Sequence, residues 1–164
     1  MKKWYVLILT AVLLSGCGTQ PTFETVDDDQ SLLVSATVRQ ISLTLPQGAA
    51  KPVMESSGSS LYMCDGYTVA VETLSGGDLN RTVQQITGYA LERVQHIQTK
   101  TAAATRYDLV WSTAGEGGDQ IARAVILDDG FNHYTVSVMA EAGLAGELQD
   151  TWQKLLSSVK LDTD

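Results

Sequence analysis

Residues 61–72 read Leu61-Tyr62-Met63-Cys64-Asp65-Gly66-Tyr67-Thr68-Val69-Ala70-Val71-Glu72, two apolar-rich runs separated by Asp-Gly. That dipeptide favours a two-residue turn of type I′, because both turn positions need positive φ. The stretch therefore predicts an antiparallel hairpin with strands at 61–64 and 67–72. A hairpin this short does not hold its shape alone, so the rest of the chain must supply a sheet around it.

Upstream, Lys51 to Ser60 is rich in serine and glycine and is expected to form a loop. Before it, Ile41, Leu43 and Leu45 alternate with Ser42 and Thr44, a strand pattern stopped by Pro46-Gln47-Gly48. Downstream, Ser75-Gly76-Gly77 ends the hairpin and Asp78 suits a helix N-cap. Leu79, Val83, Ile86, Ala90 and Val94 then recur at three- and four-residue spacing, predicting an amphipathic helix near residues 79–93. Gly88 inside it costs about 1 kcal/mol relative to alanine, which suggests close packing there. From Thr105 the pattern returns to strands. Tyr107–Thr113, Ile121–Leu127 and Tyr134–Met139 are joined by glycine-rich residues 114–119 and by Asp128-Asp129-Gly130. They predict an antiparallel meander. Leu148, Trp152, Leu155, Leu156 and Val159 share one face of a closing helix, with Trp152 as its core anchor. The fold class expected is α+β, an antiparallel sheet flanked by two or more helices.

The chain begins differently. Lys2 and Lys3 precede the apolar run Trp4–Leu14, followed by Leu14-Ser15-Gly16-Cys17. Eleven helical residues reach only about 16 Å, whereas a bilayer core needs roughly 20 apolar residues. A basic start, a short apolar stretch and a small-residue exit are the parts of a secretory signal. The exit resembles the lipobox of bacterial lipoproteins, which implies cleavage after residue 16 and acylation of Cys17. A cysteine is needed there because its thiol forms the thioether to a diacylglyceryl group. One acyl chain holds a protein only marginally, and the two or three chains implied on Cys17 would anchor it permanently.

Three segments follow: a signal peptide at 1–16, a lipidated cysteine with a flexible acidic tether at 17–32, and one α+β domain at 33–164. The tether carries Pro21 and Asp27-Asp28-Asp29, whose spacing is not that of an EF-hand loop. The location expected is extracytoplasmic, on the outer face of a bacterial cell membrane or on an outer membrane.

Loss of Lys2 and Lys3 lowers eleven basic side chains to nine against nineteen acidic ones, moving the formal net charge from −8 to −10. An acidic domain excludes nucleic acid as a partner, since binding needs cations to neutralise phosphates. With Cys17 acylated, Cys64 is left alone, so no intramolecular disulfide forms and the thiol is expected to be buried and inert.

The order of elements resembles a family. The opening Ile41-Ser42-Leu43-Thr44-Leu45-Pro46 and the closing Trp152-Gln153-Lys154-Leu155-Leu156-Ser157-Ser158-Val159-Lys160 enclose a hairpin, a helix and a three-stranded meander. Over roughly residues 33–162 this is similar to the Mog1/PsbP-like fold. The resemblance implies an α/β/α sandwich and an accessory or binding role on a larger assembly, with no shared catalytic centre. The tryptophan that often follows the first Pro-x-Gly in that family is replaced here by Ala49 and Ala50. No site residue is carried over.

Chemistry-bearing motifs are sparse. No Gly-x-Ser-x-Gly occurs, and Gly58-Ser59-Ser60 precedes a strand, the wrong setting for a nucleophile elbow. Gly115-Glu116-Gly117-Gly118 joins strands instead of opening a helix, and its acidic neighbours would repel phosphate. Asp128, Asp129 and His133 gather oxygen and imidazole groups within six residues and are the candidate metal ligands, although Asp and Asn also favour plain hairpin turns. Tyr62, Tyr67, Tyr89, Tyr107 and Tyr134 either line a groove or sit half-buried in the sheet. The function expected is a membrane-anchored, non-catalytic accessory domain that binds a protein or envelope component and needs no cofactor. The alternative is a small envelope enzyme or metal-dependent hydrolase using the 128–133 loop.

Overall fold

The computed structural model describes residues 37–162 except Gly48, Ala50 and Glu116. Cys17 and the segments expected to be the signal peptide and the tether lie outside the described residues. No helix among the described residues is long and apolar enough to cross a membrane.

The chain forms β1 (Ile41–Ser42), β2 (Met54–Ser56), β3 (Ser59–Cys64), β4 (Tyr67–Ser75) and α1 (Leu79–Thr87), then β5 (Gln95–Lys100), β6 (Thr105–Gly115), β7 (Gly118–Asp128), β8 (Asn132–Glu141), α2 (Ala145–Ser158) and β9 (Lys160–Leu161). Seven strands make one antiparallel sheet in the order β2-β3-β4-β8-β7-β6-β5. The hairpin at 61–72 forms as expected, pairing Cys64 with Tyr67. Its turn is not type I′: Gly66 has φ 77°, but among the described residues no non-glycine, Asp65 included, takes positive φ.

Alternation along the central strands builds two cores. From β7, Val125 and Leu127 face one side with Tyr134, Val136, Val138 and Ala140 of β8. There they pack beneath Trp152, Leu155 and Leu156 of α2. Ala122, Ala124 and Ile126 face the other side with Leu109 and Trp111 of β6, beneath Val83 of α1. A strand covered on both faces must be apolar at consecutive positions, which is why residues 121–127 read as an almost unbroken apolar run. The result is an α/β/α sandwich.

Four local expectations are corrected. The helix expected near 79–93 ends at Thr87, because Gly88 takes the left-handed conformation (φ 77°) and its N–H bonds Gln84 O. Val94 still enters the α1-side core, from beyond a 3-10 turn at Leu91–Arg93, so its periodicity outlasts the helix. The strand expected at 41–45 has a ladder of only two residues and lies outside the main sheet: Ile41 pairs with Leu161 and Ser42 with Lys160 of β9. The loop expected at 51–60 contains β2, which pairs with β3. The glycine-rich connection at 114–119 is mostly strand, since the β6–β7 ladder continues to Gly115 opposite Gly118.

Candidate functional site

The turn between β7 and β8 holds the three side chains singled out for metal binding, and the fold separates them. Asp128 stands on the α1 side, where its Oδ1 accepts the Gly130 N–H at 2.8 Å. His133, opposite it in the β7–β8 ladder, is 1% exposed. Its Nδ1 lies 2.6 Å from Thr82 Oγ1 on α1, and its Nε2 lies 3.7 Å from Asp128 Oδ1 with no hydrogen-bond partner.

Asp129 turns away toward the α2 side. One carboxylate oxygen accepts the N–H groups of Phe131 and Asn132 at 2.9 and 2.8 Å, and the other accepts the Tyr134 hydroxyl at 2.9 Å. Burial alone would raise the Asp129 pKa. Those two N–H groups, the Tyr134 hydroxyl and the nearby Arg39 guanidinium outweigh it and hold the carboxyl below its ordinary value. Among the described residues no three His, Cys, Asp or Glu side chains are grouped to hold a metal ion.

Thr82, His133 and Asp128 thus form a hydroxyl–imidazole–carboxylate line that sequence reasoning did not find, because Thr82 lies 51 residues before His133. A general base must come within hydrogen-bond reach of the proton it takes. Here both hydroxyl and imidazole are sealed under α1, and the line braces helix to sheet.

A second joint was also missed. The Arg39 N–H donates to the Tyr134 hydroxyl at 3.0 Å, and the Arg39 guanidinium donates to the carbonyls of Asp162 and Ala103. Residues 39–45 therefore lie as a strap against the α2-side core, where Ile41, Leu43 and Leu45 pack.

The five tyrosines do not line a common groove. Tyr67 and Tyr134 are core residues under α2, with Tyr62 packed beside them, whereas Tyr89 and Tyr107 join the α1-side cluster. Burial pushes the half-buried Cys64 thiol above its ordinary pKa, an effect the neighbouring Tyr67 hydroxyl only partly offsets.

The open surfaces lie elsewhere. α2 covers β4, β8 and β7 but leaves the same face of β6 and β5 uncovered, creating a groove of about 220 Å³ beside the helix. Its walls include Ile97, Val110, Arg106, Asp108 and Arg123 of the sheet and Gln153 of α2. Arg106 grips Asp108 bidentately at 2.8 and 2.9 Å and also bonds the Leu156 carbonyl. Every residue of β5 is exposed, Ile97 at 70%. On the other face, Tyr89, Arg93 and Trp111 border a shallower depression, with the Arg93 guanidinium 5.6 Å from the Tyr89 ring centre.

An antiparallel seven-stranded sheet between two helices, with open grooves and a sealed polar core, defines an α+β sandwich domain. Several solved structures are similar to this chain. A Bacteroides thetaiotaomicron VPI-5482 protein matches with a TM-score of 0.50 at 13% identity, over 76% of this chain and 46% of that one. LpqN of Mycobacterium tuberculosis, involved in cell envelope biogenesis, matches at 0.49 and 15% identity, over 77% of this chain and 85% of its own. The Ran-binding protein Mog1p of Saccharomyces cerevisiae matches at 0.48 and 12% identity, over 74% and 89%. At such identities the likeness is one of fold. No protein-family model matches the sequence, and no curated protein sequence aligns with it.

Proposed function

We propose that this chain is an extracytoplasmic accessory lipoprotein, a non-catalytic domain tethered through lipid on Cys17, that binds a protein or envelope component. The observation that carries the proposal is the contrast between its two kinds of polar site. The hydroxyl and imidazole of Thr82 and His133 are buried against each other. The uncovered half of the sheet beside α2 instead presents an exposed apolar and charged surface of the kind used for recognition. The signal and lipobox pattern at residues 2–17 support the tether.

Crosslinking in intact cells followed by pull-down of the full chain tests the binding role. A reproducible partner supports it, and repeated recovery of the chain alone opposes it. For the anchor, Cys17→Ala should abolish labelling by radioactive palmitate, and retained label would overturn that part of the proposal.

A further inference from the structure

The groove beside α2 has an unbalanced charge. Among the described residues, Arg106–Asp108 is the ion pair formed by an arginine or lysine. Arg123, half-buried on β7 and lining the groove, has no carboxylate partner among them. A half-buried guanidinium in that position lacks both full hydration and a counter-ion, although the chain as a whole has net charge −8. Next to it, Val110 is 37% exposed and Ile97 70% exposed, an apolar pair on the same face.

The ladder fixes the layout. Gln95, Val110 and Arg123 lie in one row across β5, β6 and β7, and Ile97, Asp108 and Val125 in the next. Neighbouring strands are about 4.8 Å apart and alternate residues about 6.8 Å along a strand. Arg123 and Ile97 are therefore two strands and one row apart, roughly 12 Å between backbones. Two side chains on one peptide, two to four residues apart, span that distance once the reach of arginine is included.

We propose that this groove docks a peptide segment of a partner protein in which an Asp or Glu lies two to four residues from a large apolar side chain, the carboxylate pairing with Arg123 and the apolar group covering Ile97 and Val110. The proposal rests on the accessory-binding role above and adds the chemistry of the partner. A second copy of this chain fits poorly if paired along β5, because Gln95–Lys100 contains no acidic residue to reach Arg123. A free small carboxylate would satisfy the guanidinium and leave Ile97 and Val110 in water. A planar guanidinium favours a carboxylate because two parallel N–H groups meet two oxygens.

The test places the photo-crosslinking amino acid p-benzoylphenylalanine at position 97 of the full chain in its own cells, with the exposed positions Met54 and Phe131 probed in parallel. Position 97 should yield an adduct whose attached peptide, read by mass spectrometry, carries Asp or Glu within four residues of the attachment point. Arg123→Gln should reduce that adduct at least fivefold and Arg123→Lys should restore part of it, with both variants melting within a few degrees of the parent. An adduct with the mass of two copies, an attached peptide lacking acid, or a yield insensitive to Arg123→Gln would each overturn the proposal. Adducts from positions 54 or 131 but not 97 would reject this groove and leave the accessory role standing. Silence at all three positions would reject both.

Discussion

Replacing Tyr134 by phenylalanine removes one oxygen, and that oxygen joins the N-terminal strap to the β7–β8 turn. In the parent the hydroxyl accepts the Arg39 N–H at 3.0 Å and donates to Asp129 at 2.9 Å. The first bond is neutral and contributes about 1 kcal/mol, and the second, to a carboxylate, about 2 kcal/mol. The Tyr134 ring is fully buried and phenylalanine fills the same space, so the packing loss is small. The expected destabilisation at pH 7 is about 3 kcal/mol. With a urea slope of about 2 kcal/mol/M, the unfolding midpoint should fall by about 1.5 M, followed by tryptophan fluorescence.

The pH dependence gives a second handle. Asp129 has a folded pKa below its ordinary value of 3.8, so its contribution is present above that value and lost as pH falls through the folded pKa. Once Asp129 is protonated, its bond to Tyr134 becomes a neutral one of about 1 kcal/mol. The difference between parent and variant should therefore narrow to about 2 kcal/mol as the pH falls through the folded pKa of Asp129. A loss under about 1 kcal/mol at pH 7, or one that stays the same size after Asp129 has been protonated, would refute the role given to this joint.

Other perturbations probe the remaining contacts. Trp152→Ala removes the largest side chain buried under α2, which meets Tyr67 edge-on at 6.2 Å, and should cost about 3–5 kcal/mol in the same urea assay. Thr82→Val should cost about 1–3 kcal/mol by leaving both His133 ring nitrogens without a partner, and pairing it with His133→Leu should recover part of that loss; a double variant less stable than the single would count against the bracing role. Gly76→Ala would set a Cβ 2.5 Å from the Phe131 carbonyl oxygen, where backbone must move, so a loss of about 1–3 kcal/mol in thermal or urea melts is expected despite the small change.

Much of the architecture was legible because burial leaves a period in the sequence. The run at 121–127 and the stripe from Leu148 to Leu156 report which faces are covered. β5 escaped notice for the same reason: Gln95–Lys100 is exposed on both faces, so nothing forces alternation and only its ladder with β6 makes it a strand. β2, three exposed residues at the opposite edge, is the same case. The helix overrun past Thr87 arose because Val94 is buried in the same core by a different backbone conformation. The candidate site was less legible. Asp128, Asp129 and His133 are close in sequence, but facing alternates along the turn, and their true partners, Thr82, Tyr134 and Arg39, depend on tertiary packing.

The strap also sets an order of events during folding. Ile41 pairs with Leu161, and Arg39 donates to the carbonyl of Asp162, so this segment waits for partners about 120 residues further along the chain. Closing a loop of that length carries an entropic cost that local hairpins do not. The meander of β6, β7 and β8 can assemble from sequence neighbours, whereas β1 finds its partner only once residues 160–161 have been delivered to the folding domain. A chain cut before Lys160 would therefore have its seven-stranded sheet but leave the strap undocked, with Ile41, Leu43 and Leu45 in water. Losing the final two strand residues should thus expose apolar surface some 120 positions away in sequence.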